Sequence, residues 1–435
     1  MSNVEANRGP VLWRERLPWL ILLRAFRPAV SMRMLLFSAA GLVVMIAGWR
    51  ICWLMFDQVN DPLIQGIKES LAAQVYETEN KEERQIVWPA WPWGKAHYEQ
   101  LGREKEGVIG NATVFKLDGG IVAGRVWQIT LPFQFIFHGQ IGWGGLAFCL
   151  LCGLWSLAVW GLFGGAMTRS VAMQLTRQET IPWGQARNFA MRHWLNYFTA
   201  PLYPLLGVFL LAIPVAFLGL IAQLDIGALL AAVLWPLAML AGLLMAMLLL
   251  GLFFGWPLMW GTVSVEANDA FDAFSRSYAY VYQRPLNYLF YAIVASVLGV
   301  LGYLLVGYFA EGVIHLTNWA ASWGAGNERI AALTGQSTDL MITSVTGNYA
   351  VLLIGLWAAL VRLIAVGFSI SYLWSAATAI YLLLRRDVDS AEMDEIQLEQ
   401  EERFGLPPLT TDEQGVPGVV DVPASTPHAP VNQEE

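Results

Sequence analysis

The sequence predicts an all-α protein that crosses a membrane about six times. Of its 435 residues, 56% are hydrophobic and 14% are charged, whereas a soluble domain is about half apolar and about a quarter charged. Long apolar stretches recur along the chain, and about 20 apolar residues let a helix cross the hydrocarbon core of a bilayer. The 20 tryptophans agree with this class, because tryptophan is enriched at membrane–water interfaces.

Apolar patterning predicts one span at residues 34–56 and five more in a helical membrane domain at residues 136–385. We expect the fourth span to break at Gly251–Gly261, because Pro257 removes a helix hydrogen bond there. The six predicted spans are Met34–Phe56, Ile141–Met167, Thr199–Leu224, Gly227–Val263, Leu286–Ala310 and Tyr349–Leu384.

The placement of arginine predicts the orientation of these spans. Residues 1–33 carry six arginines, residues 168–198 carry four, and Arg385 and Arg386 close the last span. Cytoplasmic segments next to membrane spans carry an excess of basic residues. The sequence therefore predicts that both termini face the cytoplasm and that residues 57–135 lie outside it.

Residues 57–135 are predicted to form a small mixed α/β extracytoplasmic domain. Pro62–Glu79 has an apolar helical face, and residues 112–120 and 125–133 are predicted to pair as strands. The tryptophans of Trp88–Gly94 have two interpretations. They form an aromatic platform for a sugar or peptide, or an anchor at the membrane interface, which we favour.

The two ends of the chain carry opposite charge. Residues 1–33 are predicted to be an Arg-rich amphipathic segment attracted to anionic lipid. Residues 387–435 hold thirteen Asp and Glu against one Arg, so residues 386–435 are predicted to be an acidic cytoplasmic tail. We expect a short helix to Arg403, disorder from Pro407, and a docking role for a protein partner. An acidic tail repels phosphates, which argues against nucleic acid as a partner.

Motifs that indicate catalysis, a cofactor or a metal site are absent from the sequence, including the P-loop, the nucleophile elbow and zinc-ligand spacings. Cys52, Cys149 and Cys152 lie in apolar stretches, where the reactive thiolate is disfavoured. They are predicted to be small buried hydrophobic residues. We therefore expect no cofactor and no enzymatic activity.

A run of charges follows the apolar fourth span. Glu266, Asp269 and Asp272 lie in the first turns of a predicted helix, where the helix dipole favours anions, and Ser264 is expected to cap it. Arg276 follows Asp272 at the favourable i, i+4 spacing. This stripe has two interpretations. It is solvation plus capping, which we favour, or a polar cluster that binds a phosphate headgroup or holds two half-bundles in register.

Residues 141–224 and 227–310 are candidates for an internal repeat. Thr168–Arg177 (TRSVAMQLTR) aligns with Ser275–Arg284 (SRSYAYVYQR), and each segment lies between two predicted spans. Duplication and convergence of two interfacial helices both explain this match. If the two copies face each other, the candidate polar cluster comprises Arg169, Arg177, Glu266, Asp269, Asp272, Arg276 and Arg284.

Arg50 and Arg362 are predicted to lie within or near spans, where an ionisable side chain is a functional candidate. Arg50 is close enough to the end of the first span for its guanidinium to reach the interface. The sequence shows no deep acidic partner for Arg362. A structural role is the simpler interpretation for both side chains.

Two motifs carry a resemblance to known proteins. FGGAMTR (Phe163–Arg169) ends one span, and the segment from GWPLMW to EANDAFDAFSRSYAYVYQRP (Gly255–Pro285) follows another. Together they resemble a family of uncharacterised multi-spanning bacterial inner-membrane proteins, over Gly142–Asp389. More remotely, they are similar to the membrane domain attached to some glycerophosphodiester phosphodiesterases. This resemblance implies a membrane fold and a bacterial inner-membrane location, and it transfers no site residues.

These observations predict a non-enzymatic integral inner-membrane protein whose cytoplasmic elbow helices interact with lipid headgroups or a protein partner. One alternative is a transporter or channel-like protein that uses the broken fourth span and Arg362. Another is a membrane-embedded lipid-modifying enzyme, which is disfavoured because the predicted spans hold no recognisable acid–base or nucleophile set.

Overall fold

Helices make up nearly all of the chain that this computed structural model describes. The described residues are 18–65, 123–136, 141–334, 345–393, 395–396, 409–411 and 417–419. Within these ranges, six helical segments are long and apolar enough to cross a membrane, as judged by length and composition. The chain is therefore a helical multi-pass membrane protein, and the predicted number of spans is confirmed.

The helices are numbered here in chain order. A single 3-10 turn at Pro18–Leu20 precedes them. The helices are α1 (Ile21–Arg24), α2 (Phe26–Ala29), α3 (Met32–Phe56), α4 (Ala123–Ile136), α5 (Trp143–Thr176), α6 (Trp183–Arg192), α7 (Trp194–Thr199), α8 (Leu202–Ile221), α9 (Asp225–Glu266), α10 (Ala270–Gln283), α11 (Pro285–Ala325), α12 (Asn327–Leu333) and α13 (Val345–Asp389).

A layer of tryptophan side chains forms the centre of the helical bundle. Trp160 of α5, Trp256 and Trp260 of α9, and Trp374 of α13 are all buried. The rings of Trp260 and Trp374 stack with centroids 4.4 Å apart, and the ring of Trp256 lies edge-on to Trp374 at 5.3 Å. Helices α5, α9 and α13 thus share one aromatic core, which fixes their relative positions.

Two helices expose most of their apolar surface. In the most apolar windows of the third and fourth spans, which include α8 and α9, only 11% and 6% of the residues are buried. The corresponding value for α3 is 56%. An apolar face of this extent on a membrane protein is the face that contacts lipid. The hairpin of α8 and the first half of α9 therefore faces the hydrocarbon.

The predicted break in the fourth span is wrong. Helix α9 runs without interruption for 42 residues, with Pro236 and Pro257 inside it. Prolines are tolerated in membrane helices when neighbouring groups satisfy the freed backbone polar atoms. The carbonyl that Pro257 deprives of its helical donor is that of Phe253. Three tyrosine hydroxyls donate to other carbonyl oxygens in this part of α9 and so attach it to α10 and α11. The pairs are Tyr282 with Met247 at 2.6 Å, Tyr278 with Leu248 at 2.5 Å, and Tyr288 with Phe254 at 2.8 Å.

The N-terminal segment packs on the protein over its described part. Residues 18–29 form short helical pieces in place of one amphipathic helix. The ring centroids of Phe26 and Tyr372 lie 5.0 Å apart. The Ser371 hydroxyl donates to the Ala29 carbonyl oxygen at 2.9 Å. The apolar side of this segment thus contacts α13, which corrects the expectation that this part of it lies on lipid. Residues 1–17 are outside the described part.

The predicted extracytoplasmic strand at residues 125–133 is also wrong, because this segment lies within helix α4. The partner strand at 112–120 and the aromatic turn at 88–94 lie outside the described residues. Of the predicted helix Pro62–Glu79, residues 62–65 are described, and they are helical. Leu63 and Ile64 are buried there, as an apolar helical face requires.

The described start of the acidic tail after Asp389 is not helical, although a short helix was predicted there. Helix α13 ends at Asp389, and Ser390 has a φ of 55°, so the expected acidic helix is absent from the described residues that follow. Residues 397–435 form a separate unit. In it, β1 (Leu409–Thr411) and β2 (Pro417–Val419) pair antiparallel, where disorder was predicted. Threonine and valine favour such extended backbone.

The tryptophan layer packs so closely against Gly164 of α5 that no side chain fits at this position. A Cβ atom at this position would lie 2.5 Å from the Trp260 ring. We expect Gly164→Ala to lower the free energy of unfolding by about 1–3 kcal/mol, because the buried ring has no room to move. The matched control is Gly242→Ala in α9, where a Cβ would meet nothing within 4 Å. Thermal unfolding in detergent measures both, and equal stability of the two variants would contradict this packing role.

Candidate functional site

The polar cluster lies where α9 ends and α10 begins. Glu266 is the last residue of α9, and Ala267 after it has a left-handed backbone with a φ of 55°. Such a residue ends a helix and turns the chain. Helix α10 then starts with Asp269 as its N-cap, whose carboxylate accepts from the Asp272 backbone N–H at 2.8 Å. The N-cap is therefore Asp269, and Ser264, which was expected to cap, lies inside α9.

Glu266 is the centre of this cluster. Its side chain is 10% exposed, and four donors reach its two carboxylate oxygens. They are the Tyr381 hydroxyl at 2.7 Å, Asn268 Nδ2 at 2.8 Å, Arg276 Nη1 at 2.7 Å and Arg385 Nε at 3.1 Å. A nearly buried carboxylate is tolerated when it is paired and fully hydrogen-bonded in this way.

Arg276 joins Glu266 to the start of α10. Its Nε lies 3.0 Å from the Asp272 carboxylate, one helical turn earlier, and Asn268 also donates to Asp272. Burial disfavours the charge of Arg276, but the carboxylates of Glu266 and Asp272 outweigh this effect and raise the pKa of its guanidinium. Arg276 therefore stays charged and is held by two acids.

The end of α13 ties α10 and α11 to the cluster. Arg385 donates to the main-chain oxygen of Glu395 at 2.8 Å. Asp387 accepts from the Tyr291 hydroxyl of α11 at 2.8 Å, and Asp389 accepts from the Tyr280 hydroxyl of α10. Burial, and then the contact with Asp389, raise the pKa of Tyr280 above its usual value, so its hydroxyl remains a donor.

A second group of polar side chains surrounds Ser264, about half a turn before Glu266. Arg169 of α5 is 4% exposed, and its Nη1 donates to the Ser264 carbonyl oxygen at 2.6 Å. The hydroxyls of Thr168 and Tyr197 lie 2.5 Å and 2.8 Å from the Ser264 hydroxyl. The Arg169 guanidinium also lies 4.1 Å from the centre of the Phe189 ring of α6, a cation–π contact.

The structure divides the predicted candidates into two groups. Glu266, Asp272 and Arg276 contact one another, Asp269 caps α10, and Arg169 reaches α9 through a main-chain oxygen. Arg177 and Arg284 are exposed, and neither makes an ion pair with another described residue. The sequence analysis missed the contributions of Tyr197, Asn268, Tyr381 and Arg385 to the cluster. Asn268 could have been found, because it lies within the charged segment itself.

The two aligned segments of the proposed repeat differ in local structure. Residues 168–176 continue the long helix α5, whereas residues 275–283 belong to the separate helix α10. Arg169 contacts Ser264, which lies in α9, outside the second aligned segment. The aligned arginines Arg169 and Arg276 occupy different positions, one inside a span and one in a connecting helix, so the structure gives the alignment no support.

The two intramembrane candidates lie in different surroundings. Arg50 is half-buried in α3. Arg362 forms an ion pair with Glu311, with Nε 2.8 Å from Oε1 and Nη2 3.2 Å from Oε2. The fifth span was predicted to end at Ala310, so Glu311 was not expected inside a helix of the bundle. Helix α11 in fact continues to Ala325. Arg362 thus has the acidic partner that was not expected.

Cys52, Cys149 and Cys152 are buried free thiols, as predicted. Within the described part of the chain, no three His, Cys, Asp or Glu residues are placed to hold a metal ion. No protein-family model, curated protein or solved structure matches this chain. The resemblance drawn from the sequence therefore stays a prediction, and function has to be argued from the geometry.

We expect Glu266→Gln to destabilise the bundle by about 1–3 kcal/mol, because the change removes the shared charge partner of the nearly buried Arg385 and the partly exposed Arg276. Thermal unfolding in detergent is the measurement. Glu328→Gln is the control, since Glu328 is an exposed acid of α12 and its loss should change stability by less than about 0.5 kcal/mol. A Glu266→Gln protein as stable as the control would show that the cluster does not hold the helices together.

The Arg362–Glu311 pair should behave as a unit. We expect Arg362→Ala or Glu311→Ala alone to destabilise the protein, because each removes one member of an ion pair within a span. The double variant should be less destabilised than the sum, with a coupling energy of about 1 kcal/mol. A double-mutant cycle from thermal unfolding in lipid nanodiscs measures this coupling, and additive effects would contradict the pairing.

Proposed function

We propose that this chain is a non-enzymatic integral protein of a bacterial inner membrane that binds anionic lipid headgroups at its cytoplasmic face. In this proposal both termini are cytoplasmic, and α6 and α10 are the elbow helices at that face. The supporting observation is a set of exposed arginines on the segments that connect the spans. At the end of the bundle that holds α6 and α10, these are Arg177, Arg187, Arg192 and Arg284.

The contrast with the arginines that are paired with acids supports this proposal. Arg276 and Arg385 form ion pairs with Glu266, so their charges stabilise contacts between helices of the bundle. Arg177 and Arg284 are exposed and without an acidic partner among the described residues. An exposed arginine beside a membrane is attracted to anionic lipid by about 1 kcal/mol.

The position of these arginines also supports the proposal. Arg177 follows the end of α5, eight residues after the buried Arg169. Arg284 directly precedes α11, whose Tyr291 is bonded to Asp387 at the end of α13. Both arginines therefore lie at the same end of the bundle as the polar cluster. The acidic residues 386–435 would extend from this face as a docking segment for a protein partner.

Transport is less well supported. That alternative relied on a broken fourth span and on Arg362 as a residue that lines the pathway. Helix α9 is continuous, and Arg362 is paired with Glu311.

Arg177→Ala combined with Arg284→Ala tests the headgroup proposal. We expect these changes together to weaken binding of phosphatidylglycerol by about 2 kcal/mol, or roughly thirtyfold. Native mass spectrometry of the detergent-solubilised protein, titrated with phosphatidylglycerol or phosphatidylcholine, measures lipid retention.

The control is Arg329→Ala, because Arg329 is an exposed arginine of α12, at the opposite end of α11. The control should retain phosphatidylglycerol as the unmodified protein does. Equal retention by the double variant, or no preference for phosphatidylglycerol over phosphatidylcholine in the unmodified protein, would overturn the proposal.

A further inference from the structure

A cavity of about 530 Å³ lies among helices α4, α5, α8 and α9, away from the charged cluster. This volume falls in the range of about 300–1,000 Å³ that is typical of small-molecule sites. The lining is dominated by leucine, phenylalanine and tryptophan side chains. Three of the four helices belong to candidate membrane spans, so the cavity lies within the membrane part of the chain.

The inner wall of the cavity is rigid. It includes Trp160, Trp256 and Trp260, whose positions are fixed by contacts with Trp374. The Trp260 indole N–H is also held, by the Tyr197 carbonyl oxygen at 2.9 Å. The wall therefore does not depend on a ligand for its shape, which makes the cavity a preformed site.

The rim of the cavity lies on the surface that faces hydrocarbon. Leu250 and Phe253 line the cavity and are 52% and 54% exposed. Both belong to α9, which with α8 carries the least buried spans of the described chain. The cavity thus opens sideways toward lipid.

One donor in the wall lacks an acceptor. Trp256 is 5% exposed, and its Nε1 has no hydrogen-bond partner within the described part of the chain. A buried N–H without an acceptor is costly. An apolar cavity is a poor site for water, so an oxygen carried on a largely apolar ligand is the better partner.

We infer that this cavity binds one hydrocarbon chain of a membrane lipid, which enters past Leu250 and Phe253 of α9, and that the Trp256 N–H donates to an ester carbonyl oxygen of that lipid. The apolar lining, the lateral opening and the immersion of the surrounding spans in lipid all select an acyl chain over a soluble ligand. This site is separate from the arginines of the proposed function and does not depend on them, because it recognises the chain of the lipid and not its headgroup.

The test uses the full chain, delipidated in detergent and then supplied with dioleoyl phosphatidylcholine, a zwitterionic lipid for which the exposed arginines give no preference. Native mass spectrometry then counts the lipids that resist detergent exchange. We expect one retained lipid per chain. Ala246→Phe should abolish its retention, because Ala246 is an exposed residue of the cavity lining and a phenyl ring there would obstruct the opening. Ala232→Phe is the control, since it adds the same ring to an exposed position of α9 outside the cavity.

Trp256→Phe is the second variant, and it keeps an aromatic ring in the wall in case Ala246→Phe fails to fold. It should weaken retention about fivefold, as expected for one lost hydrogen bond, and ether-linked phosphatidylcholine should show no such loss. Arg177→Ala combined with Arg284→Ala should leave this lipid in place. The inference is overturned if the unmodified chain retains no lipid, if a folded Ala246→Phe protein retains as much lipid as Ala232→Phe does, or if Trp256→Phe leaves retention of the ester-linked lipid unchanged.

Discussion

The carboxylate of Glu266 requires four donors because it is nearly excluded from water, and those donors come from separate parts of the chain. Arg276 belongs to α10, Asn268 to the turn before it, and Tyr381 and Arg385 to α13. These groups meet only if α9 ends at Glu266, α10 folds back and α13 runs beside them. A buried charge without its partners is strongly destabilising, so this carboxylate sets the register of three helices.

The order imposed at the charged end extends into the membrane part of the bundle. Trp260 lies six residues before Glu266, and Trp374 lies eleven residues before Arg385, so fixing the ends of α9 and α13 also fixes these rings. Their stacking builds the wall of the cavity. A rigid wall on one side and the exposed α8–α9 hairpin on the other leave a space that side chains do not fill. The same constraint thus connects the polar cluster with the apolar cavity.

Burial separates the arginines of this protein into two kinds. Those inside the bundle, such as Arg169 and Arg385, are held by carbonyl oxygens, carboxylates or an aromatic ring, and they stabilise contacts between helices. Those on the connecting segments, such as Arg177 and Arg284, keep their charge at the surface. What an arginine contributes is decided by the acids, carbonyls and rings that the fold places around it.

The sequence by itself determined the membrane class, the number of spans and the burial of the three cysteines, because each depends on local hydrophobicity along one segment. It also paired Asp272 with Arg276, since their i, i+4 spacing on one helix is local. Tertiary structure alone decided the rest. Glu266 meets Tyr381 across 115 residues, Arg362 meets Glu311 across 51 residues, and tyrosines of α10 and α11 donate to carbonyl oxygens of α9. Hydropathy identifies a helix but not its neighbours, and the neighbours decide which charges and which backbone groups are paired.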